Sequence, residues 1–201
     1  MAAAAPLPVS LPARRLVLAD VLPGARVRDA VLVAGAALLT ALLAQVSIPV
    51  AGSPVPITGQ TLAVVLTAAA LGPVRGVAGQ GLYLLLGGIG LPFYSEATGG
   101  WDVVAGATGG YLVGFLPAAA LIGMAARQGQ DRRITRALPL FALGQLVIFA
   151  VGVPWLAVVA DLTADQALHA GFYPFVIGGI VKAAIAGMAL PAAWKIVRRP
   201  E

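Results

Sequence analysis

Lys182 is the residue whose position most suggests a chemical role, because it lies inside a long apolar segment. In a membrane helix an ammonium group costs roughly 2.5–3.5 kcal/mol on insertion scales, so its side chain is expected to face a cavity or a partner group. Snorkelling to a membrane surface is the alternative, but about nine residues of helix, roughly 14 Å, separate Lys182 from Tyr173. We therefore interpret Lys182 as a cation that holds an anionic group of a ligand.

A second group of candidate residues lies in and after the segment 93–102, where aromatic rings occur next to carboxylates. Rings are carried by Phe93, Tyr94, Trp101 and the later Tyr111, and carboxylates by Glu96 and Asp102. The rings fit an aromatic belt at the level of the lipid headgroups. They equally fit a stacking surface for a ring-bearing ligand, with the carboxylates as hydrogen-bond acceptors. The residues alone leave both interpretations open.

The sequence lacks the residue patterns of the common catalytic and metal sites. It has no cysteine and one histidine, His169, which excludes disulfides, cysteine-bound zinc and a histidine cluster. Nothing resembles a Ser-His-Asp triad, a pair of catalytic carboxylates or the HExxH zinc motif. The glycine-rich runs 87–90 and 106–110 lack the strand-loop-helix context and the lysine of a phosphate-binding loop. We therefore predict no enzymatic activity, no metal, no cofactor and no ATP site in this chain.

The composition indicates an integral membrane protein. Hydrophobic residues make up 60% of the 201 residues, charged residues make up 10%, and the mean hydropathy is +0.94. Soluble domains average about 25% charged residues, and a soluble fold of this size could not bury so much apolar surface. The net charge of +5 does not indicate nucleic-acid binding, because the basic residues lie between apolar segments and not on a shared face.

Proline and glycine divide the apolar sequence into six segments, which predicts an all-α bundle of six transmembrane helices. Each crossing needs about 20 apolar residues. The segment between Asp29 and Arg75 has no charged residue, and three prolines within 49–56 break it into two helices. A second break falls at Gly72-Pro73. The predicted helices cover approximately residues 28–47, 58–72, 74–91, 103–126, 137–160 and 173–196.

The distribution of basic residues orients this predicted bundle. Twelve of the 13 Lys and Arg residues lie in the two termini, at Arg75 and in the loop 127–136, which all fall on one side. The other three loops carry none, and Lys182 is the thirteenth. Because basic loops stay in the cytoplasm, we predict that both termini are cytoplasmic. We predict a cytoplasmic tail over residues 1–27 and a membrane-embedded substrate-binding domain over residues 28–197.

Small residues recur at helical spacing in the first predicted helix. Ala30 and Ala34 are four residues apart, and so are Ala37 and Ala41. Such faces let helices approach each other closely in lipid. The face either packs within this domain or docks another membrane protein, and the spacing leaves both open.

Short motifs with distinctive spacing are spread along the chain. They are QVSIP at 45–49, PVPITGQT at 54–61, LYLLLG at 82–87, GLPF at 90–93, GG at 99–100, ATGGYLVGF at 107–115 and the segment from Pro174 to Lys182. In this order, over roughly residues 30–195, they resemble the BioY family of biotin transporters. The string at 107–115 resembles the family signature PTGGYLxGF, with Ala107 in place of its first proline. The last segment resembles PF…PGDxxK, with Gly179 in place of the acidic residue.

The resemblance implies a function in biotin uptake across a prokaryotic cell (inner) membrane. The BioY family comprises substrate-binding, or S, components of energy-coupling-factor (ECF) transporters, which are six-helix bundles that bind the vitamin near the outer face. It implies docking through the alanine-rich first helix on a transmembrane coupling protein, which works with two cytosolic ATPases that alone use ATP. Some family members occur without these partners, so transport by the chain alone and a homo-oligomer are left open.

Biotin matches the candidate residues by chemistry. Its carboxylate is expected to pair with Lys182, because a carboxylate buried without a cation is costly. Its ureido ring is expected to meet Thr58, Gln60, Glu96 or Asp102. Its fused rings are expected to pack on Tyr83, Trp101 and Tyr111, of which Tyr111 belongs to the family signature.

Three other functions stay open on the sequence. An S component for another vitamin, such as thiamine or riboflavin, would be separated from a biotin protein by competition binding. A membrane enzyme acting on lipid would need a nucleophile or a pair of carboxylates in the membrane, and the sequence offers neither. An assembly subunit without a transport role would not explain a lysine inside a membrane helix at position 182.

Overall fold

The computed structural model describes residues 16–22, Gly24 and residues 26–197, which form seven α-helices and one short antiparallel ladder. Five helices of the described chain are long and apolar enough to cross a membrane, namely α1, α2, α4, α5 and α7 below. The elements in chain order are α1 (Arg26–Ala44), β1 (Ser47–Ile48), β2 (Ile57–Thr58), α2 (Gln60–Gly88), α3 (Trp101–Ala105), α4 (Gly109–Arg127), α5 (Ile134–Val159), α6 (Ala164–Gly171) and α7 (Tyr173–Val197).

Helix α2 turns back on itself at Gly72, so it consists of two antiparallel arms, 60–71 and 73–88. Gly72 has φ +81° and ψ 177°, a conformation that a residue without Cβ adopts readily, and Pro73 follows it. Gln80 Nε2 donates to Thr67 Oγ1 at 3.1 Å, although the two residues would lie about 20 Å apart in a straight helix. The predicted break between helices 58–72 and 74–91 is therefore present.

At the end of the bundle that carries the long loops, the structure differs from the predicted secondary structure in two stretches. The predicted helix 103–126 is wrong as a single element, because the backbone is extended at Gly106. Gly106 lies between α3 and α4, and its carbonyl accepts hydrogen bonds from Trp155 Nε1 at 2.9 Å and from the Gly109 N–H at 3.1 Å. The predicted loop 161–171 contains α6, which Thr163 and Gln166 begin with a capping box.

The two ends of the bundle differ in chemistry. At one end, called the loop end, β1 pairs with β2 so that Ser47 faces Thr58, and the proline-rich loop between them folds over the helices. The opposite end, called the basic end, carries the turn at Gly72 together with Arg75 and Arg127. Helix α1 runs from the basic end to the loop end.

A polar network joins α1 to both arms of α2 within the bundle. Gln80 is fully buried, and its Nε2 donates to Thr40 Oγ1 at 3.2 Å as well as to Thr67. Thr40 Oγ1 also donates to the Ala36 carbonyl at 2.9 Å. The amide of Gln80 is thus bonded on its donor side inside the protein, as a buried amide requires.

The alanines of the predicted partner surface divide between the inside and the outside of α1. Ala37 and Ala41 are buried at 1% and 8% exposure, so they pack inside this chain and are not available to a partner. Ala30 is exposed and Ala34 is half-buried. Docking through α1 therefore stays a prediction for Ala30 and Ala34.

Part of the predicted tail packs against the basic end. Residues 1–15 of that prediction lie outside the described residues, but Leu18–Val21 form a 3-10 turn, and the preceding Val17 is fully buried. Asp20 forms an ion pair with Arg75, and Arg132 Nη2 donates to the Leu16 carbonyl at 2.7 Å. Residues 16–22 therefore belong to the folded unit, because an apolar side chain and an ion pair hold them.

We expect Asp20→Asn to release residues 16–22 from the basic end. Burial by itself raises the pKa of Asp20, but hydrogen bonds from Arg75 and from the Val17 N–H, with the charge of Arg75, hold it below its usual value near 3.8. The carboxylate therefore stabilises the folded state above about pH 4, and this contribution is lost as the pH falls through the lowered pKa. Hydrogen exchange at neutral pH should be faster across 16–22 in the variant.

Asp102→Asn is the matched control for this experiment, because Asp102 is exposed at the loop end. It should leave the exchange of residues 16–22 unchanged. Unchanged exchange in Asp20→Asn would show that the burial of Val17 and the hydrogen bond from Arg132 hold the segment without the ion pair.

Candidate functional site

A cavity opens between the helices at the loop end, with a volume of about 630 Å³ including its mouth. The proline-rich loop contributes Val55 and Pro56 to its wall, so this loop lies over the site. Helices α2, α4, α5 and α7 supply most of the remaining lining, which consists of Thr58, Gln60, Thr61, Tyr94, Ser95, Val103, Thr108, Tyr111, Leu112, Phe115, Gln145, Ile148, Phe149, Phe175, Gly179 and Lys182.

Lys182 lies in this cavity and not on the lipid-facing surface. Its Nζ donates to Thr61 Oγ1, at the first turn of α2, over 3.1 Å. None of the ion pairs among the described residues involves Lys182. The ammonium group therefore has a neutral partner inside the protein, and its charge is available to an anion.

Thr58, Gln60 and Tyr83 form a hydrogen-bonded chain along one side of the cavity. Thr58 Oγ1 donates to Gln60 Oε1 at 2.5 Å, and Gln60 Nε2 donates to the Tyr83 hydroxyl at 2.5 Å. Thr58 and Gln60 line the cavity, whereas Tyr83 is fully buried behind them. Tyr83 also meets the ring of Tyr94 edge-on at 5.5 Å between centroids, so it supports the wall.

Aromatic rings form the opposite wall. Tyr111 begins α4, and its hydroxyl donates to the Gly171 carbonyl at 2.9 Å, which ties α4 to the end of α6. The ring of Phe149 on α5 stands edge-on to Tyr111 at 6.3 Å and to Phe175 on α7 at 6.2 Å. Such edge-to-face pairs give a rigid apolar surface against which a fused ring system can pack.

Trp101, Glu96 and Asp102 do not reach the cavity, contrary to the sequence-based prediction. Trp101 is 71% exposed and lies over Gly88 on the outside of the bundle, and both carboxylates are exposed. The physical reason is the backbone at Gly100, whose φ of +105° starts α3 in a direction that turns Trp101 outward.

Tyr94 takes the inward position in this loop and is 1% exposed. Burial raises the pKa of Tyr94 to about 12, so its hydroxyl stays protonated and donates to the Leu84 carbonyl at 2.7 Å. Ser95 follows it in the lining. Residue type did not distinguish Tyr94, which is buried, from Trp101, which is exposed.

Three further polar residues of the cavity, namely Thr61, Thr108 and Gln145, were not among the site residues predicted from the sequence. Gln145 carried a usable signal, because it is an amide within the long apolar helix α5, and polar groups in membrane helices are expensive and commonly functional. Thr61 and Thr108 lie in the motifs at 54–61 and 107–115, but residue type alone does not distinguish them from threonines such as Thr67. Among the residues that the structure describes, no cluster of three or more His, Asp or Glu could hold a metal ion.

Comparison with known proteins gives consistent results at the level of sequence and of fold. The sequence profile of the BioY family matches residues 14–199. The chain is 38% identical to the biotin transporter BioY2 of Lactococcus lactis subsp. cremoris, over 79% of this chain and 87% of that protein. It is 38% identical to the biotin transporter BioY of Thermotoga maritima, over 76% of this chain and 89% of that protein.

A solved structure has the same fold. The crystal structure of the S-component for biotin from an ECF-type ABC transporter superposes with a TM-score of 0.77, covering 85% of this chain and 92% of that one. The sequence identity is 24%, so this comparison concerns the fold alone. The architecture of the described helices is thus that of a known transporter component.

Proposed function

The chain belongs to the BioY family, and from that membership and the geometry of its cavity we propose that it binds biotin for uptake into the cell. It is a multi-pass membrane protein and a transporter component, not an enzyme. The observation that carries the ligand assignment is Lys182, an ammonium in a largely apolar cavity whose hydrogen-bond partner is the neutral Thr61. Such a cation favours a small molecule that carries one carboxylate.

Biotin is chemically complementary to both the polar and the apolar walls of the cavity. Its carboxylate would pair with Lys182, and this pairing offsets the cost of removing the carboxylate from water. Its fused rings would pack on Phe149, Phe175 and the ring of Tyr111. Thr58 and Gln60 lie close enough to the cavity to contact the ligand.

In the proposed topology the chain crosses a prokaryotic cell (inner) membrane six times. The arms 60–71 and 73–88 of α2 would count as two crossings, with α1, α4, α5 and α7 as the other four. Basic residues at the ends of the spans support this topology, since Arg75, Arg127 and Lys195 all lie away from the loop end. The basic end would face the cytoplasm and the cavity would open outward.

The proposed partners are a transmembrane coupling protein and two cytosolic ATPases, which supply the energy. The support is family membership, together with the exposed part of α1 at Ala30 and Gly35, where a second helix could approach closely. Co-expression of the chain with these three proteins, followed by affinity purification, should recover all four. Recovery of the chain by itself, with biotin uptake intact, would show that it transports without them.

We expect the purified chain in detergent to bind biotin with one site per chain. Isothermal titration calorimetry measures this binding directly, and competition with thiamine or riboflavin at a hundredfold excess should leave the biotin isotherm unchanged. The reason is that a single cation in an apolar cavity favours a monocarboxylate, whereas thiamine is itself a cation and riboflavin carries no charge. Displacement of biotin by either vitamin would contradict the ligand assignment, and so would a lack of biotin binding.

A further inference from the structure

Gln145 is a buried side chain of the cavity whose amide donor has no partner among the described residues. It is 5% exposed, lies about midway along α5, and its Nε2 is enclosed without a hydrogen-bond acceptor. A buried amide without a partner destabilises the folded protein. Because Gln145 lines the cavity, the partner that is missing from the chain would be supplied by a molecule bound there.

Most of the other polar side chains of the cavity wall already have hydrogen-bond partners within the protein. Gln60 uses its oxygen for the Thr58 hydroxyl and its nitrogen for Tyr83. Thr61 accepts from Lys182, and the Tyr111 hydroxyl donates to a backbone carbonyl. In the described structure Gln145 is therefore the amide of the lining that can still form new hydrogen bonds without breaking existing ones.

The position of Gln145 relative to Lys182 follows from α7. A Cβ atom built on Gly179 would lie 3.9 Å from the amide carbon of Gln145, so the amide faces α7 at the level of Gly179. Because Gly179 has no side chain, α7 presents only its backbone to the amide at this level. Lys182 is three residues further along the same face of α7. The Gln145 amide and the Lys182 ammonium are thus two separate polar groups along one wall of the cavity.

We propose that Gln145 binds the ureido group of biotin through two hydrogen bonds, while Lys182 holds the carboxylate; this inference rests on the proposed function. A carboxamide presents one donor and one acceptor in a plane, and the N–H and C=O of a cyclic urea present the complementary pair. The Gln145 Nε2 group donates to the ureido oxygen, and the Gln145 oxygen accepts from a ureido N–H. A carboxylate has acceptors alone, so it would match only half of the Gln145 amide.

Gln145→Leu tests this assignment, because leucine keeps most of the side-chain volume and removes the amide. We expect the Kd for biotin to rise about tenfold to a hundredfold, because the variant leaves the N–H and C=O of the ureido group without hydrogen-bond partners. We also expect the ligand-free variant to melt at a higher temperature than the wild type, because an unpartnered buried amide is removed. A role in folding alone would predict a lower melting temperature and an unchanged Kd.

Gln80→Leu is the matched control, because Gln80 is also a buried glutamine but is bonded to Thr40 and Thr67 and lies outside the cavity. It should lower the melting temperature and leave the Kd for biotin unchanged. The two variants are thus expected to shift the melting temperature in opposite directions, and only Gln145→Leu is expected to change the Kd for biotin.

The primary amide of biotin, which lacks the carboxylate charge, identifies the group that Gln145 contacts. The factor by which Gln145→Leu weakens binding should be the same for biotin and for the amide. A factor that disappears with the amide would place Gln145 at the carboxylate and overturn the assignment, and an unchanged Kd for biotin in Gln145→Leu would also overturn it. Failure of the wild type to bind biotin would instead reject the proposed function itself.

Discussion

Replacing Lys182 with methionine should weaken biotin binding at least about tenfold. Methionine fills nearly the same volume but has no charge, so the biotin carboxylate would be buried without a cation. Hydrogen bonds to charged groups contribute about 1.5–3 kcal/mol, and each 1.4 kcal/mol corresponds to about a tenfold change in Kd. Calorimetry on the two purified proteins gives both Kd values.

Lys195→Met is the control for this variant, because Lys195 is on the same helix but is exposed near its opposite end. It should bind biotin with the wild-type Kd. Lys182→Met should also bind the primary amide of biotin about as well as the wild type does, since that ligand has no carboxylate to pair. Equal affinity of Lys182→Met and the wild type for biotin would rule out the carboxylate role.

Adding one methyl group at Gly123 should destabilise the whole bundle, which is the largest stability effect that we expect. Gly123 on α4 packs against the turn between the two arms of α2. A Cβ atom there would lie 2.6 Å from the carbonyl carbon of Gly72 and 2.6 Å from Pro73 Cα. Both are backbone atoms of a tight turn and cannot rotate away, so Gly123→Ala should cost about 1–3 kcal/mol or more.

The measurement for Gly123→Ala is the thermal unfolding temperature in detergent, with Gly35→Ala as the control. Gly35 is also within a helix, but a Cβ atom there would meet nothing within 4 Å. Alanine is favoured over glycine in a helix by about 1 kcal/mol, so Gly35→Ala should unfold at the same or a higher temperature. A Gly123→Ala variant as stable as Gly35→Ala would show that the turn at Gly72 can shift.

Four residues that the sequence predicted as ligand contacts line the same cavity in the structure, namely Thr58, Gln60, Tyr111 and Lys182. Lys182 was recognisable because a charge in an apolar helix is costly wherever that helix packs. The assignment of Trp101 failed because the direction of a loop side chain depends on the backbone conformation at Gly100, which residue type does not specify. What each lining residue does for biotin stays a prediction until binding is measured.

Local properties of the chain determined the all-helical membrane class, the breaks at the proline-rich loop and at Gly72-Pro73, and the isolation of Lys182 among apolar residues. These features follow from hydropathy and from backbone restrictions that act within a few residues. The tertiary structure decided which residues meet across helices: Thr61 with Lys182, Gln145 with the open face at Gly179, and Tyr94 in place of Trp101. Such meetings depend on the rotation and tilt of packed helices, and packing between distant segments sets both.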